Sequence, residues 1–280
     1  MDPLPLEKAC CYSKIDDLLY NNSIIQEFDV AFLVILIVLI MQRLTHIVHR
    51  GDLPRWLSTI FKQLQRLEKR PLFEKSVYAQ VLGMLILLPL VLGIFSFFLS
   101  RTNILVTFCF GLIVLWYCLG DSQFKQCGKT QGINALFIST YTHVFAIIFW
   151  FIILGPVGAA LYYSVNVLLA YFEQQEVKSA NHIQVILKIR ALLDWVPVRL
   201  LGLTFALVGH FFMATSDWLK HLVGGLELNQ NLVAEFGKKA INLKVNNLKE
   251  QKEHALFLIE RALWLWLIVL SIITLVLWIG

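Results

Sequence analysis

Charged residues are scarce in this sequence. Asp, Glu, Lys and Arg make up 15% of its 280 residues, whereas hydrophobic residues make up 58%. Soluble domains carry about 25% charged and roughly 45–50% apolar residues, and here the apolar residues are concentrated in long runs. The composition therefore excludes an ordinary soluble domain. It predicts an all-α, polytopic membrane helix bundle with amphipathic cytoplasmic helices.

Sequence signatures of catalysis and metal binding are also lacking. The five cysteines form no CxxC pair, and neither a GxSxG nor an HExxH motif occurs. Gly128-Lys129-Thr130 looks like the end of a phosphate-binding loop, but Gln123 stands where that motif needs its first glycine. We therefore expect no cofactor and no bound metal ion.

Six segments are predicted to cross the bilayer within a single membrane domain, residues 24–280. A crossing helix needs about 20 mostly apolar residues, and an acidic extension, residues 1–23, precedes the first segment. The predicted spans are residues 24–41, 78–99, 104–119, 144–172, 198–216 and 263–278. The fifth is the least apolar because it contains Arg199 and His210, and a re-entrant segment is the alternative there.

Basic residues indicate how these spans are oriented. Six spans place the two most basic loops, residues 42–77 and 217–261, on one side together with Lys125 and Lys129. That side then holds 17 of the 24 Lys and Arg residues and is predicted to be cytoplasmic. Since topology accounts for the net charge of +5, no nucleic-acid partner is expected.

Both basic loops contain predicted amphipathic helices. The first begins at Asp52 and has apolar residues at helical spacing. In the second, four apolar residues share one face: Leu232, Phe236, Ala240 and Leu243. The other faces of the first helix carry four basic residues, Arg55, Lys62, Arg66 and Lys69. A basic amphipathic helix beside a span is typical of the headgroup layer. We expect these side chains to contact anionic lipid headgroups, with a protein-binding surface as the alternative.

A Gly-Pro-Val-Gly sequence, Gly155 to Gly158, interrupts the fourth predicted span. Small residues allow helices to pack closely in a membrane, and this interpretation is favoured. A break at Pro156 would instead release backbone carbonyls that can line a polar cavity. Gly155, Pro156 and Gly158 are therefore candidate ligand-binding residues.

Charged and aromatic residues cluster at the predicted start of the fifth span. Asp194 can cap a helix there, Trp195 suits a membrane interface, and Arg199 can bind an anion through its planar fork. His210 lies about 16 Å beyond Arg199 on roughly the same helix face. The cluster is either an interfacial cap, in which Arg199 reaches lipid phosphate, or a binding site for an anionic headgroup or ligand.

Two motifs carry a family resemblance. FWFIILGPVGAALYY (Phe149–Tyr163) and LLDWVPVRLLGLTFALVGH (Leu192–His210) resemble the AmpE family of Gram-negative inner-membrane proteins, and the tail RALWLWLIVL from Arg261 is similar as well. The resemblance covers the sequence from about Asp29 to the C-terminus. It implies a bacterial inner-membrane protein with a sensing or signalling role in β-lactamase induction and peptidoglycan recycling.

A more distant resemblance suggests an alternative. The AmpE family is similar to the CobD/CbiB-type membrane proteins of cobalamin synthesis, which form an amide bond on a corrinoid. An acidic residue, in Glu-Arg-Leu, is common at the end of the first span, where this sequence has Gln42-Arg43-Leu44. Losing that carboxylate argues against any chemistry that depends on it.

Two hypotheses of different classes follow. A non-enzymatic membrane regulator, which binds a cell-wall-derived or lipid-linked anion near Arg199, is favoured because no phosphate-binding loop is recognisable. The alternative is a membrane-embedded ligase or transferase related to adenosylcobinamide-phosphate synthase. Four residues offer acid–base groups for such an enzyme: Asp121, Asp194, His210 and Glu260.

Overall fold

The computed structural model describes residues 29–42, 59–61, 63, 77–101, 103–119, 132–174, 180–209, 229–241 and 248–279. Within these residues the chain forms helices and short connections, with no β-strand. The helices are α1 (Asp29–Gln42), α2 (Val77–Ser100), α3 (Ile104–Leu119), α4 (Ile133–Thr140), α5 (Ala146–Glu173), α6 (Ala180–Val208), α7 (Asn229–Ile241) and α8 (Leu248–Ile279). A π-helical segment, Tyr141–Phe145, joins α4 to α5.

Four helical segments are long and apolar enough to cross a membrane. They are Val77–Leu99, Ile133–Glu173, Ala180–Val208 and Lys249–Ile279, and two shorter apolar helices are Asp29–Gln42 and Ile104–Leu119. Large apolar side chains remain on the outside of the bundle, such as Phe98 and Trp278, which are 65% and 76% exposed. An apolar surface of this extent marks contact with lipid or a partner. The predicted all-α membrane helix bundle is confirmed.

Helix α5 lies at the centre of the bundle and packs against α2, α3 and α6. Aromatic rings fill much of the space between helices: Phe145 lies edge-on to Phe205 and to Trp266. The Trp266 indole donates to the Thr204 hydroxyl at 3.0 Å, and that hydroxyl donates to the Leu200 carbonyl at 2.8 Å. A polar contact inside the apolar core thus joins α8 to α6.

The segment Ile133–Glu173 bends sharply at Gly155, whose backbone has φ 62° and ψ −149°. This conformation strains any residue with a side chain. Gly158 shows how tight the bend is, because a Cβ there would lie 2.2 Å from the carbonyl oxygen of Trp150. These two residues are eight positions apart, which corresponds to about 12 Å along a straight helix. Both glycines are therefore needed for the bend, for different reasons. A Cβ added at Gly155 would meet no atom within 4 Å, so that position needs glycine for its backbone conformation, whereas Gly158 needs glycine for lack of space.

The fourth predicted span, residues 144–172, lies within this longer bent segment. The helical segment begins earlier, at Ile133, and its 41 residues form two arms that fold toward each other. Helix α6 lies across both arms. His182, near the start of α6, stacks on Phe172 with ring centroids 4.9 Å apart. Phe205, near its end, packs against Phe137 at 5.6 Å.

The fifth predicted span, residues 198–216, begins inside a longer helix. Helix α6 begins at Ala180 and continues through Pro197 to Val208. Asp194 therefore lies in the middle of a 29-residue helix and caps no helix end. Polar residues interrupt the apolar ones between Ala180 and Ala191, so this part of the helix does not stand out in the sequence as a membrane segment.

The amphipathic helix predicted in the second basic loop is confirmed as α7. Leu232, Phe236 and Ala240 are buried on its inner face, which packs on α4 and α6. Leu243, the fourth residue of the predicted face, lies outside the described residues. The approach is close: a Cβ at Gly209 would lie 2.7 Å from the Ala240 carbonyl oxygen, and one at Gly237 would lie 2.6 Å from the Phe137 ring.

Little of the first basic loop is described. Residues 59–61 are helical, and Phe61 is buried against the Tyr171 ring at 5.4 Å. The four basic residues predicted to meet lipid headgroups lie outside the described residues: Arg55, Lys62, Arg66 and Lys69. His210 lies outside them as well.

Candidate functional site

Asp194 is buried at the meeting point of α6 and both arms of the bent segment. Its side chain is 1% exposed, and its Oδ1 accepts hydrogen bonds of 2.7 Å from the hydroxyls of Tyr141 and Tyr162. On a straight helix these tyrosines would stand about 31 Å apart. Their convergence on one oxygen requires the bend at Gly155. A carboxylate inside a membrane segment needs such partners, because burying it without them is costly.

Arg190 supplies the positive charge opposite this carboxylate. It lies one turn before Asp194 on α6, and its Nε is 3.6 Å from Asp194 Oδ2. The other end of the guanidinium donates from Nη2 to the Thr142 hydroxyl at 2.9 Å. We name these residues the Asp194 cluster: Tyr141, Thr142, Tyr162, Arg190 and Asp194.

The π-helical segment places two members of this cluster. Tyr141 and Thr142 are its first two residues; one donates to Asp194 and the other accepts from Arg190. A π-helical turn holds an extra residue and is often found at functional sites. It thus lets Tyr141 and Thr142 of the first arm reach the Asp194 carboxylate and the Arg190 guanidinium of α6.

The Asp194 cluster links three helical segments. It joins the first arm, the second arm and α6 through charged and neutral hydrogen bonds in a low-dielectric interior, where each bond is stronger than in water. Losing one partner would leave another polar group buried, so the members depend on each other. The hydrogen bonds from Tyr141 and Tyr162 to Asp194 therefore stabilise the bent conformation.

Arg199 and Trp195 form a separate site on α6. Arg199 is five residues beyond Asp194, about 140° away around the helix. Its Nη1 donates to the Trp195 carbonyl at 2.8 Å, and its guanidinium lies 4.4 Å from the centroid of the Trp195 ring. Arg199 is 7% exposed, whereas Trp195 is 39% exposed. We name this the Arg199–Trp195 pair.

The structure therefore divides the residues that the sequence grouped together. Asp194 belongs to the Asp194 cluster, whereas the Arg199–Trp195 pair lies on another face of α6. Gly155, Pro156 and Gly158 build the bend that brings Tyr162 to Asp194. The ligand-binding role proposed for these residues from the sequence stays a prediction. In the described part of the chain, no group of three or more His, Cys, Asp or Glu side chains is placed to hold a metal ion.

Sequence reasoning missed Arg190, Tyr141 and Thr142 as members of this site. Arg190 carried a usable signal, since it stands four residues before Asp194 and such pairs meet on a helix. Tyr141 and Thr142 carried none, because Tyr141 is 53 residues away from Asp194 in the sequence. Gln42 donates to the Leu119 carbonyl at 3.1 Å and joins α1 to α3.

Fold and site together define a class: an all-α membrane protein in which a bent helical segment is held against a second long helix by a buried carboxylate. Within that class, the chain belongs to the AmpE family. Residues 121–279 match the family described as regulatory signalling modulator protein AmpE. This range contains every member of the Asp194 cluster and the Arg199–Trp195 pair.

Curated relatives from cobalamin synthesis share parts of the sequence. The chain is 25% identical over 143 residues to the cobalamin biosynthesis protein CobD of Chromobacterium violaceum, covering 44% of this chain and 46% of that protein. It is 36% identical over 75 residues to the protein of the same name from Stutzerimonas stutzeri, covering 27% of this chain and 25% of that protein. The chain thus spans less than half the length of these relatives. No solved structure matches it.

Proposed function

We propose that this protein is an inner-membrane signalling modulator that acts in β-lactamase induction and peptidoglycan recycling. Its sensing element is the Arg199–Trp195 pair, which binds a cell-wall-derived or lipid-linked anion, and its basic loops face the cytoplasm. The observation that carries this proposal is the AmpE family match over residues 121–279.

The geometry of α6 supports a sensing role. Charged residues within membrane segments are rare and usually functional, and this helix carries Arg190, Asp194 and Arg199. Stacking on Trp195 fixes the Arg199 guanidinium before a ligand arrives, so less side-chain freedom is lost on binding. The far end of the same helix touches α7 at Gly209. We propose that ligand binding on α6 affects α7 through that contact, and the last turn of α7 carries Lys238 and Lys239.

The basic loops support a membrane partner. A cytoplasmic leaflet is negatively charged and attracts basic segments beside a span. Arg55, Lys62, Arg66 and Lys69 belong to the first basic loop, and Phe61 of the same loop packs on the Tyr171 ring. We propose that these four side chains contact the anionic headgroups of that leaflet.

Deleting the gene in its native host is expected to change β-lactamase activity after exposure to a β-lactam inducer. Wild-type protein should restore the response, whereas Arg199→Ala should not, because the alanine cannot bind an anion. Immunoblots of the membrane fraction should show equal amounts of both proteins. Arg101→Ala is the matched control, since this exposed arginine also lies over a ring, that of Phe97 at 5.3 Å. An unchanged response in the deletion strain would refute the proposed role.

A membrane enzyme is the second candidate, favoured by the similarity to two CobD proteins. Expression of this chain in a strain that lacks its own CobD tests it, with growth on a medium that demands cobalamin synthesis as the readout. A signalling modulator should not restore growth, whereas a plasmid-borne CobD should. Growth restored by the wild-type chain would favour the enzyme instead.

A further inference from the structure

The bent segment Ile133–Glu173 is too long for a single membrane crossing. If it were straight, its 41 residues would measure about 61 Å, whereas the hydrocarbon core of a bilayer is about 30 Å thick. The segment contains no Asp, Glu, Lys or Arg, so its composition forces neither arm out of hydrocarbon. The contacts that its arms make with α2 and α3 show where the bend at Gly155 lies.

The two ends of the helix bundle are defined by α2 and α3. A short turn, residues 101–103, joins these helices, and we call this the outer end. At the inner end α2 begins and α3 ends, and Gln42 of α1 donates there to the Leu119 carbonyl. The first basic loop connects α1 to α2 and therefore belongs to the inner end.

The bend lies between these two ends. A Cβ at Gly93 of α2 would lie 3.6 Å from a methyl group of Val157, and one at Gly111 of α3 would lie 3.7 Å from the Phe151 ring. Each of these glycines is seven residues from the outer end of its helix, which corresponds to about 10 Å. Irregular backbone at membrane depth is tolerated where protein packs around it. The segment thus turns back before it reaches the outer end.

The second arm runs from the bend toward the inner end. Its Tyr163 ring packs on Tyr117 of α3 with centroids 5.7 Å apart. Further along, Phe172 stacks on His182, whose Nε2 lies 2.9 Å from the side-chain oxygen of Gln80 in α2. Tyr117 is about 9 Å, and Gln80 about 20 Å, nearer to the inner end than the residues of the same helices that contact the bend.

The first arm runs in the same direction. Its Tyr141 and the Tyr162 of the second arm donate to one oxygen of Asp194, so these two tyrosines lie at a similar depth. The π-helical segment that contains Tyr141 also packs on α3. Phe137, one turn further from the bend, therefore belongs to the inner end as well.

Both ends of α6 consequently lie at the inner end. Near its start, His182 contacts Phe172 and Gln80. Near its other end, Phe205 packs on Phe137 with ring centroids 5.6 Å apart. A helix that crossed the bilayer would have its ends on opposite sides. Although α6 is long and apolar enough to cross, it lies across the open end between the two arms.

We infer that the bent segment is a re-entrant hairpin, which enters and leaves the membrane on the cytoplasmic side, and that α6 does not cross the bilayer. The arms fill the inner two-thirds of the bundle, and α2 and α3 extend beyond the bend to the outer end.

The basic residues support this arrangement, because cytoplasmic segments of membrane proteins are rich in Lys and Arg. With six spans, residues 173–197 face outward and carry Lys178, Lys188 and Arg190 to that side. With the re-entrant hairpin these residues are cytoplasmic. Of the 24 Lys and Arg residues, three are then assigned to the outer side: Lys8, Lys14 and Arg101.

The hairpin determines the side on which the protein senses, and this step rests on the proposed function. Helix α6 carries the Arg199–Trp195 pair, which is the proposed sensing element, and it lies on the same side as α7 and both basic loops. Sensing and response both take place at the cytoplasmic face, and no signal has to cross the membrane through this protein.

Cysteine labelling in cells tests the hairpin. Gln174→Cys follows the second arm and Asn181→Cys lies near the start of α6, and both positions are exposed. The full-length protein keeps Cys118, which is buried, and its other four native cysteines are replaced by serine. A thiol reagent that does not cross the inner membrane is applied before and after permeabilisation. Both variants should be labelled only after permeabilisation. Labelling in detergent shows that each thiol is reactive.

Two exposed reference positions mark the two sides. Arg101→Cys, in the outer turn, should be labelled in intact cells, and Glu250→Cys, at the start of α8, only after permeabilisation. Labelling of Gln174→Cys and Asn181→Cys in intact cells, as for Arg101→Cys, would overturn the hairpin. Labelling of Glu250→Cys in intact cells would overturn the cytoplasmic assignment.

The outcome is separable from that of the proposed function, since labelling requires neither a β-lactam inducer nor a signalling partner. An unchanged β-lactamase response in the deletion strain, with Asn181→Cys labelled only after permeabilisation, would reject the signalling role and keep the hairpin. A changed response, with Asn181→Cys labelled in intact cells, would reject the hairpin alone.

Discussion

Replacing Asp194 with alanine should destabilise the protein by about 3–5 kcal/mol, the usual cost of removing one partner of a buried ion pair. The substitution leaves the Arg190 guanidinium, which is 11% exposed, without its carboxylate and two buried tyrosine hydroxyls without their acceptor. Thermal unfolding of the solubilised protein measures the loss, and a smaller amount of protein in the membrane fraction should accompany it.

Milder substitutions in the Asp194 cluster test whether the hydrogen bonds to the carboxylate account for this loss of stability. Tyr141→Phe and Tyr162→Phe each remove one 2.7 Å hydrogen bond to the same oxygen and should each cost about 1–3 kcal/mol. Their effects should not be additive, because both hydroxyls serve one acceptor. If Asp194→Ala melts at the wild-type temperature, the cluster does not hold the bend.

Gly158→Ala should lower stability by about 3 kcal/mol or more, at the upper end of what overpacking costs. The new Cβ would lie 2.2 Å from the Trp150 carbonyl oxygen and 2.7 Å from the Leu154 Cβ. Since backbone cannot move aside as a flexible side chain can, the bend must open. Opening the bend would draw Tyr162 away from Asp194, so the close packing at Gly158 and the hydrogen bond to Asp194 would be lost together.

Gly83→Ala is the matched control for this experiment. Gly83 lies inside helix α2, and an added Cβ would meet no atom within 4 Å. Alanine there should be neutral or stabilising by about 0.5–1 kcal/mol, because glycine is the poorer helix residue. Equal melting temperatures for the Gly158 and Gly83 variants would contradict a tight bend.

The sequence predicted the class of fold because lipid exposure requires long apolar runs, and these are visible without a structure. It also located Gly155 and Pro156 as an interruption, since both residues weaken a helix. The size of the bend was not predictable, because it depends on contacts between residues far apart in the chain. Tyr141 and Asp194 illustrate this, as nothing near either residue indicates the other.

The error at Asp194 has a local cause. Residues 180–191 are too polar to look like the first half of a membrane helix, and Pro197 suits the first turn of a helix that starts later. Tertiary packing against both arms stabilises the longer helix despite these signals. The grouping of Asp194 with Arg199 followed from that error, since only a turn at the helix start would have allowed them to meet.

The π-helical segment links local winding to distant packing. Rewinding Tyr141–Phe145 as an α-helix would shift its hydrogen bonds by one residue and rotate α4 by about 100° relative to α5. That rotation would remove Tyr141 from Asp194 and Thr142 from Arg190. It would also swing the Phe137 ring away from Gly237 of α7. The hydrogen bonds of the Asp194 carboxylate and the packing of α7 therefore both depend on the π-helical winding of Tyr141–Phe145.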